Sequence, residues 1–508
     1  MWRMATKALF NSVVNWFIRQ RIDQIEHFKK YPVETQEGLL FSQMFYAEET
    51  EYGHKYGFST ISNYKDFQKR VPIVCYEDFE PYIEKARQGQ KDVFWPGVIR
   101  QFAKSSGTTN AKSKYIPITD ESLEDCHYKA GKDLVSIYVN NHPESALFQH
   151  KNLRLGGSAE MYQDFNTKFG DLSAILIENL PFWVEIINTP SKKTSLMSEW
   201  ESKMKAIIGE VKNEDVGSLT GVPSWMMVLL QRTLQETGKN SLSELWPNLE
   251  VFFHGGISFK PYKNQYQDIV GKNIRYYEIY NASEGFFAIQ DQAGSDEMLL
   301  MLDYGIFYEF IPMDLYNTGI REAIPISEVE IGKNYAVVIT TNGGLWRYLI
   351  GDTVKFTSTS PYRIKISGRT KHYINAFGEE LMIDNVETAL KTACEQLQAS
   401  VSDYTGAPVF MTNCSKGCHE WIFEFTKKPS CLEQFTKVFD DTLKSLNSDY
   451  EAKRYNDITL KAPIVHSAKP NLFYEWMASR GKLGGQNKVP RLSNDREYID
   501  PLLKLNEN

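Results

Sequence analysis

The sequence predicts an α/β protein with a large N-terminal α/β domain of mixed sheets and a small, mobile C-terminal α+β domain. Three observations point there. Runs rich in β-branched and aromatic residues, such as "LEVFFHGG", "IRYYEIYNASEG", "MLLMLDYGIFYEFIP" and "NYAVVITTNGGLWRYLIGDTVKF", end at Gly, Asn or Pro. Helical stretches such as "SWMMVLLQRTLQETG" and "FKPYKNQYQDIVG" lie between them, which is the rhythm of α/β layers. After "TSTSPYRIKISGRTKHYINAFGEEL" the pattern restarts: a helix in "IDNVETALKTACEQL", a strand in "HEWIFEFTKK" and a helix in "SCLEQFTKVFDDTLKSLN". We therefore expect a large domain over 1–362, a hinge over 363–371 and a small domain over 372–508.

Each element follows in order. At the N-terminus, Leu9, Phe10, Val13, Val14, Trp16 and Phe17 fall at helical spacing, while Asn11, Ser12 and Asn15 interrupt any membrane span. An amphipathic helix docked on the body is expected, with neither signal peptide nor transmembrane segment. "LLFSQMFYAEETEYGHKYGF" and "YEDFEPYIEKARQG" read as helices with aromatic anchors, the second stopped at Gly89. "DLSAILIENLPFW" reads as a strand-like run, with Tyr162, Phe165, Phe169 and Trp183 expected to pack in a core rather than line a pocket.

Composition excludes some classes. With 42% hydrophobic and 24% charged residues in 508, the chain has the make-up of an ordinary globular protein. A net charge of -7 argues against a nucleic-acid binder. The cysteines, at 75, 126, 394, 414, 418 and 431, make no disulfide framework and suit a reducing cytoplasm. "CSKGCH", Cys414 to His419, has too few further ligands nearby for a zinc site and reads as a loop between strands.

Three short segments carry chemistry. "AKSSGTTNAKSKYIPIT" follows the strand-like "VIRQF", so its loop sits at a strand end. Ser105, Ser106, Gly107, Thr108 and Thr109 offer backbone N–H groups, small side chains and no carboxylate, with Lys104, Lys112 and Lys114 adding charge. Those are the requirements of a phosphate loop, although a plain polar turn would look the same, and no Walker A or dinucleotide fingerprint occurs. In "YEIYNASEGFF", Glu284 stands where a strand stops; one carboxylate of this kind suits a hydrated Mg²⁺, and an exposed acid in a turn is the alternative. In "LWRYLIGDTVKF", Gly351-Asp352 interrupts two strand-like runs, and Asp352 is placed to accept both hydroxyls of a ribose, or simply to occupy a hairpin turn.

Together, in this order and ahead of a small domain, these segments resemble the adenylate-forming superfamily of acyl-CoA synthetases, luciferases and adenylation domains. "FAKSSGTTNAKSKYIPIT", "IYNASEGFFAIQ", "YEFIP", "LWRYLIGDTVKF" and "QNKVPRL" narrow the resemblance to the auxin-responsive (Gretchen Hagen) acyl acid–amido synthetase family, from about residue 40 to the end. The resemblance implies an adenylate-forming fold using ATP and Mg²⁺. It puts Ser105, Ser106, Gly107, Thr108 and Thr109 around the ATP phosphates. Tyr280, Asn281, Ala282 and Ser283 fall beside the adenine, with Glu284 on the metal and Asp352 on the ribose. Gly255 and Gly256 of "HGG" fall near adenine and acyl group, Arg369 near the nucleotide, Lys371 at the pivot, and Lys488 at the α-phosphate and acyl carboxylate. Thr109-Asn110-Ala111 departs from the plant pattern, which leaves the acyl substrate open.

The implied reaction joins a carboxylic acid to an amine, read as that of an amino acid, through an acyl-adenylate, with pyrophosphate and AMP released. Thr108, Glu284 and Lys488 are the expected catalytic residues. The alternatives are an acyl-CoA synthetase or other acceptor chemistry, and a nucleotide-binding protein without catalysis. A carrier-domain partner within the chain is not expected, since it ends at "PLLKLNEN".

Overall fold

The protein is described by a computed structural model at residues 18–105, 114–156, 161–164, 167–180, 182–197, 199–257, 259, 262–370, 373–411, 416–455, 460–480 and 489–507. Residues 18–30 are helical. Ile25 and Phe28 enter the core, and Arg21 grips Asp133 through Nε and NH2, both at 2.6 Å. The helix expected from Leu9 to Phe17 lies outside the described residues.

Helices Pro32–Ala47, Glu51–Tyr56, Tyr64–Arg70 and Tyr76–Arg87 follow. Their aromatic anchors Tyr52, Phe67 and Phe79 are buried. Thr50 caps the second of these helices by accepting the Gly53 N–H. Past Tyr76–Arg87 the chain turns at Gly89 with φ +87, a conformation that favours glycine.

Strands β1 (Gln101–Ser105) and β2 (Lys114–Ile118) pair antiparallel; β3 (Lys151–Leu155) comes next, then the hairpin of β4 (Met161–Asp164) and β5 (Thr167–Gly170). β1, β2, β4 and β5 form a four-stranded sheet in the order β2-β1-β5-β4. Tyr162 and Phe169 stack in this sheet at 5.5 Å, and Tyr162 is 42% exposed. The expectation of core packing is therefore corrected for Tyr162, because β4 is an edge strand with a face open to solvent. The side chains of Phe165 and Trp183 lie outside the described residues.

A large sheet dominates the molecule. It contains β3 with β6 (Asn188–Thr189), β7 (Val216–Gly221), β8 (Val251–Gly255), β9 (Arg275–Ala282), β10 (Gly285–Ile289), β11 (Met298–Leu300), β12 (Ile306–Pro312), β13 (Ile324–Pro325), β14 (Asn334–Thr341), β15 (Tyr348–Thr359) and β16 (Tyr362–Arg369). Among the described residues it has twelve strands in the order β13-β12-β14-β15-β16-β11-β10-β9-β8-β7-β3-β6. β6, β3, β7, β8 and β9 run parallel, and the rest are joined antiparallel. The sheet is mixed, as the alternating sequence requires. Parallel neighbours need crossovers, and the helices Trp200–Val211, Pro223–Thr237 and Lys263–Val270 supply them. These helices pack Met204, Ile207, Met226, Leu229 and Tyr266 on Leu153, Leu219 and Phe252 of the sheet.

"DLSAILIENLPFW" departs from its strand-like reading. It folds as helices Leu172–Glu178 and Phe182–Ile187. A short apolar run does not distinguish a strand from a buried helix. Asp171 decides it, accepting the Ser173 N–H at 2.8 Å as an N-cap.

The C-terminal part holds β17 (Tyr373–Ile374) with β18 (Leu381–Met382), and a sheet of β19 (Ser400–Val409), β20 (Cys418–Lys427) and β21 (Ile464–Ser467) in the order β19-β20-β21. Helices Ile383–Leu397 and Leu432–Leu446 cover it, with Trp421, Phe423, Phe435 and Phe439 at the centre. That cluster is continuous with the one beneath the parallel half of the large sheet. Polar contacts reinforce the junction: the Tyr262 hydroxyl donates to Ala376 O at 2.6 Å, and Ser224 Oγ and Trp225 Nε1 both donate to Phe377 O at 3.1 Å. Within the segment expected as a hinge, residues 363–369 belong to β16, which is paired with β15 and β11. Among the described residues, no helix is long and apolar enough to cross a membrane.

Candidate active site

The three chemistry-bearing segments meet at one end of the sheets. Ser105 closes β1 and pairs with Lys114, which opens β2. Ser106, Gly107, Thr108 and Thr109 fall between them, outside the described residues, as do Lys371 and Lys488. Lys114 acts electrostatically on Glu284, and so do Asp352 and Arg369, which places the loop flank, the β9 end and β15 around one space.

Ser283 and Glu284 are the turn joining β9 to β10, with Ala282 opposite Gly285. The pentapeptide is thus a turn, as one reading allowed, but its acid is half-buried. Burial pushes the Glu284 carboxyl above its ordinary pKa, and the positive charge of Lys114 only partly offsets this. A side chain at Gly285 would lie 2.6 Å from Ile306 Cδ1, so the residue after the acid has to be small. At the end of β8, a Cβ on Gly255 would lie 2.5 Å from the Ile279 carbonyl oxygen, and Gly256 has φ +83. The backbone there approaches β9 more closely than any side chain would permit. Asn281 is exposed, while Ala282 and Ser283 are half-buried.

Asp352 sits at a bend, as expected, but inside one strand rather than in a hairpin turn. Gly351-Asp352 neither ends a strand nor turns a hairpin; both lie inside the 12-residue β15. The register against β14 shifts from Ala336↔Thr353 to Val338↔Leu349, a bulge centred on Ile350–Asp352 with Gly351 at φ +91. Bulges re-aim side chains, and here the Asp352 carboxylate is brought to two partners. The Tyr280 hydroxyl donates to Oδ2 at 2.7 Å, and Arg369 Nε meets Oδ1 at 2.8 Å. Burial and the Asp352 charge hold the Tyr280 phenol well above its ordinary pKa, so it is a donor at neutral pH. Arg369 reaches on to Glu380 at 3.5 Å and lies over the Tyr373 ring at 5.1 Å. Burial opposes its charge, but Glu380 and Asp352 outweigh that, and its pKa is raised. Each carboxylate oxygen of Asp352 keeps a further lone pair, enough to accept from vicinal hydroxyls.

Sequence reasoning missed two features. Arg347, the arginine of "LWRY", is a structural clamp: Nε and NH2 grip Glu309 of "YEFIP" at 2.8 and 2.7 Å, and NH1 donates to the Gln68 and Val71 carbonyls. Glu380 was passed over because nothing in "FGEEL" marks which acid turns towards Arg369. In "CSKGCH", Cys414 lies outside the described residues, and His419 is buried with Nε2 2.7 Å from Glu379 Oε1. Among the described residues no three His, Cys, Asp or Glu side chains are grouped to hold a metal. For a single Mg²⁺, Glu284 has the fitting character: one half-buried carboxylate whose charge burial disfavours and a cation would restore.

The fold is shared with acyl-activating ligases. It matches an acyl acid amido synthetase solved as "AtGH3.15 acyl acid amido synthetase in complex with 2,4-DB" with TM-score 0.63 and 18% identity, covering 96% of each chain. It also matches a 2-hydroxyisobutyryl-CoA ligase in complex with 2-HIB-AMP and CoA, with TM-score 0.56 and 15% identity over 92% of this chain and 90% of that one. The adenylate-forming α/β fold is therefore that of this protein.

The chain belongs to the GH3 family: the family's N-terminal domain matches residues 21–274, its central domain 299–369 and its C-terminal domain 384–497. Among curated relatives, indole-3-acetic acid-amido synthetase GH3.4 of Arabidopsis thaliana is 22% identical, over 95% of this chain and 92% of the relative. Jasmonoyl–L-amino acid synthetase JAR6 of Nicotiana attenuata is 24% identical, over 69% of this chain and 71% of the relative.

Proposed function

We propose that this protein is an ATP-dependent, AMP-forming ligase that joins a carboxylic acid to an amino acid. The single observation that carries the reading is the meeting of Lys114, Glu284 and the Tyr280–Asp352–Arg369 chain at one sheet end. The relatives named as acid-amido and amino acid synthetases support the substrate classes.

The chain's own residues do the following. The amides and hydroxyls of Ser105, Ser106, Gly107, Thr108 and Thr109 hold the ATP phosphates, and Lys114 draws their charge to the mouth of the loop. Asp352, aimed by Tyr280 and Arg369, accepts the ribose hydroxyls. Ala282 and the Gly255–Gly256 backbone border the adenine. An oxygen of the acid then attacks the α-phosphorus, pyrophosphate leaves, and an acyl-adenylate remains. The amino acid's neutral amine attacks the acyl carbon, AMP leaves with the bonding electrons, and the amine proton is given up. Most of the acceleration comes from positioning and charge neutralisation. Glu284 would hold Mg²⁺, which would supply further neutralisation of phosphate oxygens. Lys488 neutralises the α-phosphate and acyl oxygens, and the small domain pivots at Lys371 to exclude water from the adenylate.

The five cysteines among the described residues carry free thiols, in keeping with the cytoplasm as the compartment. The test is acid-dependent ATP–pyrophosphate exchange over a panel of carboxylic acids, followed by mass spectrometry of products formed with amino acids or CoA. Exchange and an amide product are expected. Exchange with a thioester as the sole product would replace the acceptor, and ATP binding without exchange for any acid would remove the enzyme.

A further inference from the structure

Arginines in this protein meet carboxylates in a repeated way. Arg21 binds Asp133, Arg347 binds Glu309, Arg363 binds Asp291 and Arg454 binds Asp440, each through the side-on pair Nε and NH2 at 2.6–3.0 Å. That edge gives two parallel, charge-assisted hydrogen bonds to one carboxylate.

Arg154 differs. Its Nε and NH2 are shielded from solvent and have no hydrogen-bond partner among the described residues. Glu185 acts on it only at a distance, and burial lowers its pKa. Withdrawing a guanidinium edge from water without a partner is costly. Its place makes the vacancy informative. Arg154 is the penultimate residue of β3, beside Thr220 of β7, at the C-terminal end of the parallel strands. Ligands of open α/β sheets bind at that end. Leu153 and Leu155 point the other way, into the apolar cluster under the crossover helices. On the side of Arg154, the Asn152 Oδ1 is already filled by the Ser218 and Thr220 hydroxyls at 3.0 and 2.9 Å. Both hydroxyls are turned to that oxygen, and neither is hydrogen-bonded to the Arg154 edge.

We propose that Arg154 receives the α-carboxylate of the amino acid substrate through its Nε–NH2 edge. The inference rests on the ligase reading above. The reaction brings two carboxylates to the protein apart from the phosphates. The acid's own carboxylate becomes an anhydride and then an amide, so a fixed arginine partner would lose it at the first step. The α-carboxylate of the amino acid keeps its charge from binding to product release, and a desolvated guanidinium matches it throughout. The consequence is selection: α-amino acids are taken, and amines lacking the carboxylate are refused.

The experiment uses the full chain and separates the half-reactions. With the acid that supports exchange, Arg154→Met is expected to raise KM for the amino acid by about 10- to 100-fold, the size of a charged bidentate contact. The same variant loses the preference for the amino acid over the amine formed by its decarboxylation, and Arg154→Lys recovers part of both. A thermal melt checks that each variant is folded, and the lysine variant preserves the test should the methionine variant not fold. A rise in KM for the acid in the exchange assay, with the amino acid KM unmoved, would overturn the assignment while leaving the ligase intact. Absence of exchange in the wild-type chain would instead bring down the ligase reading.

Discussion

Glu309 on β12 and Asp352 on β15 both face an arginine, and they differ in how completely it is used. Glu309 is 1% exposed, held by both nitrogens of the Arg347 edge and by the Tyr64 hydroxyl at 2.8 Å. The rest of that guanidinium is consumed by backbone carbonyls. Asp352 has one contact from Tyr280 and one from Arg369, whose NH2 turns away to Glu380. A saturated pair joins strands, and an unsaturated one leaves valence for a ligand. The sequence writes both as short acid and arginine motifs, so the difference belongs to their surroundings.

Five substitutions test that contrast. Glu309→Ala leaves Arg347 charged in the core and should cost about 3–5 kcal/mol, read as a lowered denaturant midpoint, while protein that remains folded keeps its exchange activity. Asp352→Ala should act the other way, lowering exchange at least about 100-fold through lost positioning with little change in the melting curve. Normal exchange in that variant would sink the ribose assignment. Arg369→Gln frees one side of Asp352 and uncouples Glu380; about a tenfold drop in kcat/KM for ATP is expected, the size of one charged hydrogen bond. Tyr280→Phe removes a single donor, worth about 1 kcal/mol, and should appear as a several-fold rise in KM for ATP.

The smallest effect is in stability at Glu284. Its folded pKa is raised above the unfolded value by burial. The group's contribution is therefore most favourable at acid pH and is lost as pH rises through the folded pKa. Glu284→Gln should melt slightly higher than wild type near neutrality, with the gap closing below the ordinary glutamate range, and should lose exchange activity. Equal melting at neutral pH would show that the carboxyl is not penalised by its surroundings.

Much of the site was legible from side-chain chemistry. Glu284 at the β9 end follows from residue type at a strand terminus, whereas Gly255 was marked only by the family resemblance, and its close approach to β9 is a finding of the structure. Asp352 was found for its chemistry but misplaced in structure, because a bulge inside one long strand and a break between two short ones leave the same Gly-Asp in the sequence. The roles of Ser106, Gly107, Thr108, Thr109, Lys371 and Lys488 remain proposals carried by the family resemblance. Arg154 gave no signal at all: one arginine in "KNLRLGG" looks like any surface arginine until its neighbours are seen to leave it unpaired.

The α/β class, the mixed sheet, the restart of the helix–strand pattern after residue 370 and the order of the chemistry-bearing segments came from the sequence alone. These depend on local periodicity and on residues whose chemistry is the same in any setting. Tertiary structure decided that "DLSAILIENLPFW" is helical, that Arg347 clamps while Arg369 aims, that Glu284 is half-buried, and that the Arg154 edge is vacant. Each depends on which groups from distant parts of the chain share a space, and burial and hydrogen-bond saturation are properties of that space rather than of any segment.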